Sequence, residues 1–188
     1  MQQEYMWRSL EHAGFEHVRV DASHPGWTVY DSMIVREHEG GIRRGGYTLI
    51  VDKAFRTLEI RIMAEQEPGS MAALHLLATG DGTWTDDNER RIPSLDGVID
   101  VDIQWSPLTN TLPVRRLDLR DGEEQDISVA YLALPELALS RVEQRYTRVD
   151  AKTIRYVSQT RDFVRDISLD EDGFVLEYPG LFTREWPR

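Results

Sequence analysis

Turn chemistry punctuates this chain about every 8 to 12 residues, and that spacing decides its fold class. Ser23 to Gly26 (SHPG), Asp52-Lys53-Ala54, Glu65 to Ser70 (EQEPGS), Gly80-Asp81-Gly82, Asp150-Ala151-Lys152 and Asp170 to Gly173 (DEDG) carry the residues that tight turns favour. Glu39 to Gly46 (EGGIRRGG) supplies glycines for a hairpin end. Between these breaks lie runs of strand composition, among them His17 to Asp21, Trp27 to Glu37, Tyr47 to Val51, Thr57 to Ala64, Ile127 to Leu134, Leu137 to Gln144, Arg145 to Val149, Thr153 to Gln159, Phe163 to Leu169 and Phe174 to Tyr178. Met71 to Thr79 has helix-favouring Leu, Ala and Met, but its brevity and the following turn favour a strand. Positions 4 to 12 suit either a short helical turn or an N-terminal strand. Pro135 suits an edge or a bulge, since it cannot donate to a ladder. The reading is an all-β chain with few short helices, forming an antiparallel β-barrel or half-barrel. An echo of aromatic, strand, Asp-Gly and aromatic, at Tyr47, Phe55 and Asp81 to Trp84 and again at Tyr156, Phe163 and Asp172 to Phe174, would suit two similar halves.

At 188 residues, with 40% hydrophobic and 29% charged content, residues 1–188 are expected to form one domain with an ordinary core. The absence of cysteine excludes a disulfide framework and thiolate chemistry and suits a reducing, cytoplasmic setting. The N-terminal stretch has acids and histidines where a signal peptide needs a basic region and an apolar run. No apolar stretch approaches the roughly 18 residues of a membrane span. A net charge of −11 repels phosphate backbones, so nucleic acid is not an expected partner.

The stretch with most chemistry runs from Gly97 to Leu119, GVIDVDIQWSPLTNTLPVRRLDL. In its first half Val98, Asp100, Asp102 and Gln104 alternate with Ile99, Val101, Ile103 and Trp105, a strand with one apolar face. After a bend at Ser106 to Pro113, Val114 to Leu119 resumes the alternation, so two joined strands are expected. Asp100 and Asp102 would share a face, roughly 6.5 to 7 Å apart. They could serve as general acid and base on a sugar. Equally, they could form a solvated strand face or pair with Arg115 or Arg116, of which only one can face them if the arginines lie on a strand.

Other constellations are weaker. His12, His17, His24, His38 and His75 form neither HxH nor HExxH, so neither a metal site nor a cofactor is expected. No serine sits in a GxSxG elbow, and the Gly40 to Gly46 run lacks a phosphate loop's GK[ST] ending. Trp7, Trp27, Trp84, Trp105 and Trp186 are spread along the chain. They would fill a packed barrel or line a hollow one, and the sequence leaves both open.

The combination of IDVDIQWSPLTNTLPVRRLDL, VAYLALPEL, QRYTRVDAKTIRYVS and DEDGFVLEYPGLFTR resembles a bacterial family labelled "putative glycolipid-binding", with GFEH at Gly14 to His17 and DGTW at Asp81 to Trp84 also fitting. The resemblance covers nearly the whole chain and is most specific at Thr109 to Pro113 and the two arginines that follow. Val98-Ile99 and Ser106-Pro107-Leu108 are conservative departures from the family pattern. The resemblance implies a barrel-like fold likened to lipoprotein carriers that hold acyl chains in a half-barrel, and no catalytic residues. Where family motif and side-chain chemistry coincide, the candidate ligand-binding residues are Asp100, Asp102, Asn110, Arg115, Arg116, Gln144, Arg145 and Tyr146. The plainer alternative is that Asn110 holds the turn and Gln144 to Tyr146 tie strands together. The expected function is non-catalytic binding of an amphipathic small molecule such as a glycolipid. An enzyme acting on a sugar or glycolipid through Asp100 and Asp102, and an interaction module built on exposed sheet edges, are the alternatives.

Overall fold

The structure, a computed structural model, describes residues 2–160 and 162–187. Among them the chain forms strands β1 (Gln2–Ser9), β2 (Gly14–Asp21), β3 (Trp27–His38), β4 (Gly41–Asp52), β5 (Thr57–Glu67), β6 (Ser70–Ala78) and β7 (Trp84–Asp86). After an excursion come β8 (Asp100–Ile103), helix α1 (Thr111–Leu117), β9 (Glu124–Ala133), β10 (Ala138–Asp150), β11 (Thr153–Ser158), β12 (Phe163–Leu169), β13 (Val175–Tyr178) and β14 (Phe182–Trp186).

All fourteen described strands join one sheet in the order β7-β6-β5-β4-β3-β2-β1-β14-β13-β12-β11-β10-β9-β8. Two meanders, β1 to β7 and β9 to β14, therefore meet where β1 pairs antiparallel with β14, and β8 is added to the outer edge of β9. The edges β7 and β8 share no ladder, which makes this a half-barrel rather than a closed one. The segment between them spans the gap by other bonds. Trp84 Nε1 donates to the Val98 carbonyl at 2.7 Å, and Gly97 N–H donates to Gly82 at 2.9 Å. The aromatics of the echo noted in the sequence fall on β4 and β11, in the turn before β5 and at the start of β12. Its Asp-Gly elements, however, lie in the β6–β7 and β12–β13 connections, one hairpin out of step.

The expected hairpin in Gly97 to Leu119 is the main correction. β8 is short and pairs parallel to β9, with Asp100 opposite Val129 and Ile103 opposite Leu132. A parallel pair needs a crossover connection, and helix is its usual content. Here Pro107–Asn110 forms a 3₁₀ turn and Thr111–Leu117 continues as α1. Pro113 is tolerated because it sits in the first turn, where its missing N–H would have had no helical acceptor. Asp118, in the left-handed region at φ 45°, ends the helix. Leu108 and Leu112 are fully buried and Val114 nearly so. Each contributes roughly 2 kcal/mol by leaving water, so the crossover is a plug seated inside the curved sheet.

Smaller differences have local causes. The N-terminal segment is strand through Ser9, not a helical turn. Leu137 to Gln144 and Arg145 to Val149 merge into the uninterrupted β10, and Pro135 lies in the turn before it rather than within a strand. Gly45 and Gly46 lie inside β4, not at a hairpin end. A Cβ on Gly46 would stand 2.3 Å from the Ser32 carbonyl, so these glycines let strands approach. β14 is a strand beyond those that composition and alternation mark out. Trp7 and Trp84 are wholly buried and Trp105 is 4% exposed, whereas Trp27 and Trp186 lie outside the core.

Candidate functional site

The plug is tied to the wall by buried polar groups. On β2, Glu16 stands in phase with the inward Val18 and Val20 and is 1% exposed. Its carboxyl accepts from Ser32 at 2.7 Å, Tyr47 at 2.8 Å and Ser106 at 2.8 and 2.9 Å, joining β3, β4 and the segment leading into the plug. Burial, the dominant cause, pushes the Glu16 carboxyl up to about 7 against the lowering effect of these donors. At the far end of the plug, Arg116 Nε and Nη2 grip Asp100 at 2.6 to 3.2 Å. Asp100 is 1% exposed, so this is a buried bidentate pair.

Beside the plug, the wall of β9 to β14 leaves a cavity of about 280 Å³. Its aromatic lining includes Trp105, Tyr131, Tyr156, Phe163, Tyr178 and Phe182. Its polar lining includes Asp102, Gln104, Ser106, Asn110, Ser158 and Thr160, with Glu11 and Arg36 at one end. Asp102 accepts from Gln144 Nε2 at 2.6 Å and from Thr109 Oγ1 at 3.1 Å. Burial raises the Asp102 carboxyl above its ordinary value in spite of both donors. The Tyr146 hydroxyl extends the network, donating to Asn110 Oδ1 at 3.1 Å or to Gln144 Oε1 at 3.3 Å.

Of the eight candidate residues, Asp102, Asn110, Gln144 and Tyr146 are thus brought into one network, of which Asp102 and Asn110 face the cavity. The other four lie elsewhere. Asp100 is not part of the cavity wall and is engaged by Arg116, so the two carboxylates have separate surroundings. Because α1 is a helix, Arg115 and Arg116 diverge by about 100° rather than pointing oppositely. Arg115 packs over Phe55, 4.4 Å from the ring centroid. Arg145 points outward from β10, between the inward Gln144 and Tyr146, and pairs with Asp126 at 2.6 Å.

The sequence reading missed Glu16 and Arg36. Both carried a legible signal, a charged residue in the inward phase of a strand. Glu16 shares its phase with Val18 and Val20, and Arg36 shares its phase with Tyr30 and Ile34. The cavity aromatics from β11 to β14 carried none, because an inward aromatic reads as core whether or not a void lies against it.

A half-barrel with a helical crossover seated in its lumen, and an aromatic cavity left beside the crossover, defines the class of protein. The chain belongs to the family described as "Putative glycolipid-binding", which matches residues 4–184. A crystal structure of a DUF1089 family protein from Pseudomonas aeruginosa is similar to it, with 34% sequence identity, a TM-score of 0.81 and 91% of each chain covered. No curated protein matches the chain.

Proposed function

We propose that this protein binds an amphipathic ligand of the glycolipid class without turning it over, and that the cavity takes the sugar end. The carrying observation is the lining: the aromatic rings of Trp105, Tyr156 and Phe182 beside the carboxylate, amide and hydroxyl of Asp102, Asn110 and Ser158. Sugars present the same two surfaces, apolar C–H faces and fixed hydroxyls, and a few convergent polar groups in an aromatic pocket set orientation. The volume of about 280 Å³ lies at the small end of ligand pockets. It suits a sugar ring rather than a pair of acyl chains, whose place would then be outside the mouth. The family description points the same way.

Binding without turnover is preferred to sugar hydrolysis because Asp100, the partner a paired-carboxylate mechanism needs, is held by Arg116 away from the cavity wall, and the other carboxylate of the lining, Glu11, is engaged by Arg36. A cytoplasmic setting fits the lack of cysteine. Among the described residues no helix is long and apolar enough to cross a membrane.

The test is titration with octyl glucoside, followed by intrinsic tryptophan fluorescence with Trp105→Phe as the control that isolates the cavity ring, alongside native mass spectrometry of protein purified from its own host. Saturable quenching that weakens about 10-fold in Asp102→Asn, with a co-purifying glycolipid, is the expected result. No saturation and no bound lipid would overturn the proposal.

A further inference from the structure

The cavity contains a cation that neutral sugar recognition does not use. Arg36 on β3 is 7% exposed, and its guanidinium carbon lies 5.6 Å from the Trp105 ring centroid and 5.8 Å from that of Phe182. Two rings thus fix the position of a charged fork. Of its five N–H donors, one is committed among the described residues, Nη2 to Glu11 Oε2 at 3.1 Å. Glu11 belongs to the β1–β2 connection, and its side chain is 48% exposed against 9% for that of Arg36. The pair is therefore lopsided. A carboxylate already well hydrated loses little by turning into water, whereas the guanidinium cannot follow it. Burial is also the dominant influence on Arg36, lowering its proton affinity despite Glu11.

The backbone is shaped to hold this arginine. Gly14 pairs with Arg36, and a Cβ at Gly14 would stand 2.4 Å from the Val35 carbonyl and 2.8 Å from the Arg36 Cα. Only a glycine lets β2 approach so closely at the point where the side chain enters the cavity.

Resting on the sugar-binding reading above, we propose that the ligand carries an oxyanion, a phosphate or a carboxylate, that docks on Arg36 in place of Glu11. The ligand is then an acidic sugar headgroup, its anion on Arg36 and its hydroxyls on Asp102 and Asn110. Arginine's planar fork accepts two oxygens of either anion, and charge-assisted bonds of this kind are the strong ones.

The test compares octyl glucoside, glucose 1-phosphate and glucuronate by isothermal titration of the wild-type chain, Arg36→Met and Glu11→Gln. Glucose 1-phosphate or glucuronate is expected to bind about 10-fold tighter than octyl glucoside, and whichever is tighter identifies the source of the anion. Arg36→Met should abolish that preference, and Glu11→Gln should strengthen anion binding by removing the competing carboxylate. If Arg36→Met does not fold, Glu11→Gln decides the matter, and anion binding that it leaves unchanged or weaker overturns the anion subsite. Octyl glucoside binding with no gain for either anion, or a gain that survives Arg36→Met, overturns the anion subsite and leaves the sugar cavity standing. Binding of none of the three overturns both.

Discussion

The Ser106 hydroxyl donates to both carboxyl oxygens of Glu16, at 2.8 and 2.9 Å, and so fastens the crossover to the opposite wall of the half-barrel. The two residues come from β2 and from the segment after β8, far apart in the chain, and both are buried. Because the plug sets one side of the cavity, this contact links the stability of the interior to the geometry of the site.

A pH dependence follows from Glu16. Its carboxyl is raised in the folded state from an ordinary 4.5 to about 7, so between those values the folded chain holds a proton that the unfolded chain has lost. The associated stability is fully present below about pH 4.5 and is lost as pH rises through 7. It amounts to about 3 kcal/mol at most. Thermal unfolding of the wild-type chain should therefore show a component declining from pH 5 to 7.5. Glu16→Gln, which cannot ionise, should lack that component, and identical pH profiles for the two proteins would contradict this account.

The buried Asp100 and Arg116 pair should behave differently from the surface pairs. Arg116→Ala leaves an uncompensated carboxylate in the interior, and urea unfolding should register a loss of about 3 kcal/mol or more. Arg145→Ala breaks exposed contacts with Asp126 and Glu124 and should change stability by less than about 1 kcal/mol. It should also leave ligand affinity unchanged, since Arg145 lies on the outer surface of β10.

Asp102→Asn keeps the shape of the side chain while removing its charge. Its amide can still meet Thr109 or Gln144, so stability should change by about 1 kcal/mol or less. Octyl glucoside affinity, read by titration, should fall about 10-fold.

Gly14→Ala places a methyl group against the Val35 carbonyl and the Arg36 backbone. Overpacking of this kind costs about 1 to 3 kcal/mol. Denaturant melts should show that loss, and the wild-type preference for an anionic sugar should weaken with it as Arg36 shifts.

The strands were legible because turn residues and period-2 alternation are local properties. β3, β5, β6, β9, β11 and β12 all lie close to where composition and alternation put them. The Asp102, Asn110, Gln144 and Tyr146 network was reached only as a set of candidates, because nothing local says which strands become neighbours. Val114 to Leu119 misled for a related reason. Six residues satisfy a strand alternation and a helical turn equally well, and the parallel pairing of β8 with β9, a long-range fact, decides for helix.

By itself, then, the sequence determined the all-β class, most of the turns between strands and the family, since each depends on side chains adjacent in the chain or on a motif read in order. Only the tertiary structure decided that β7 and β8 stay unpaired, that the crossover fills the lumen, and that a void remains between it and β9 to β14. It also decided which charges are buried: Asp100 against Arg116, Glu16 against Ser106 and Arg36 between two rings. Burial and pairing depend on residues distant in sequence, and it is the removal of water from those pairs that gives them their chemical character.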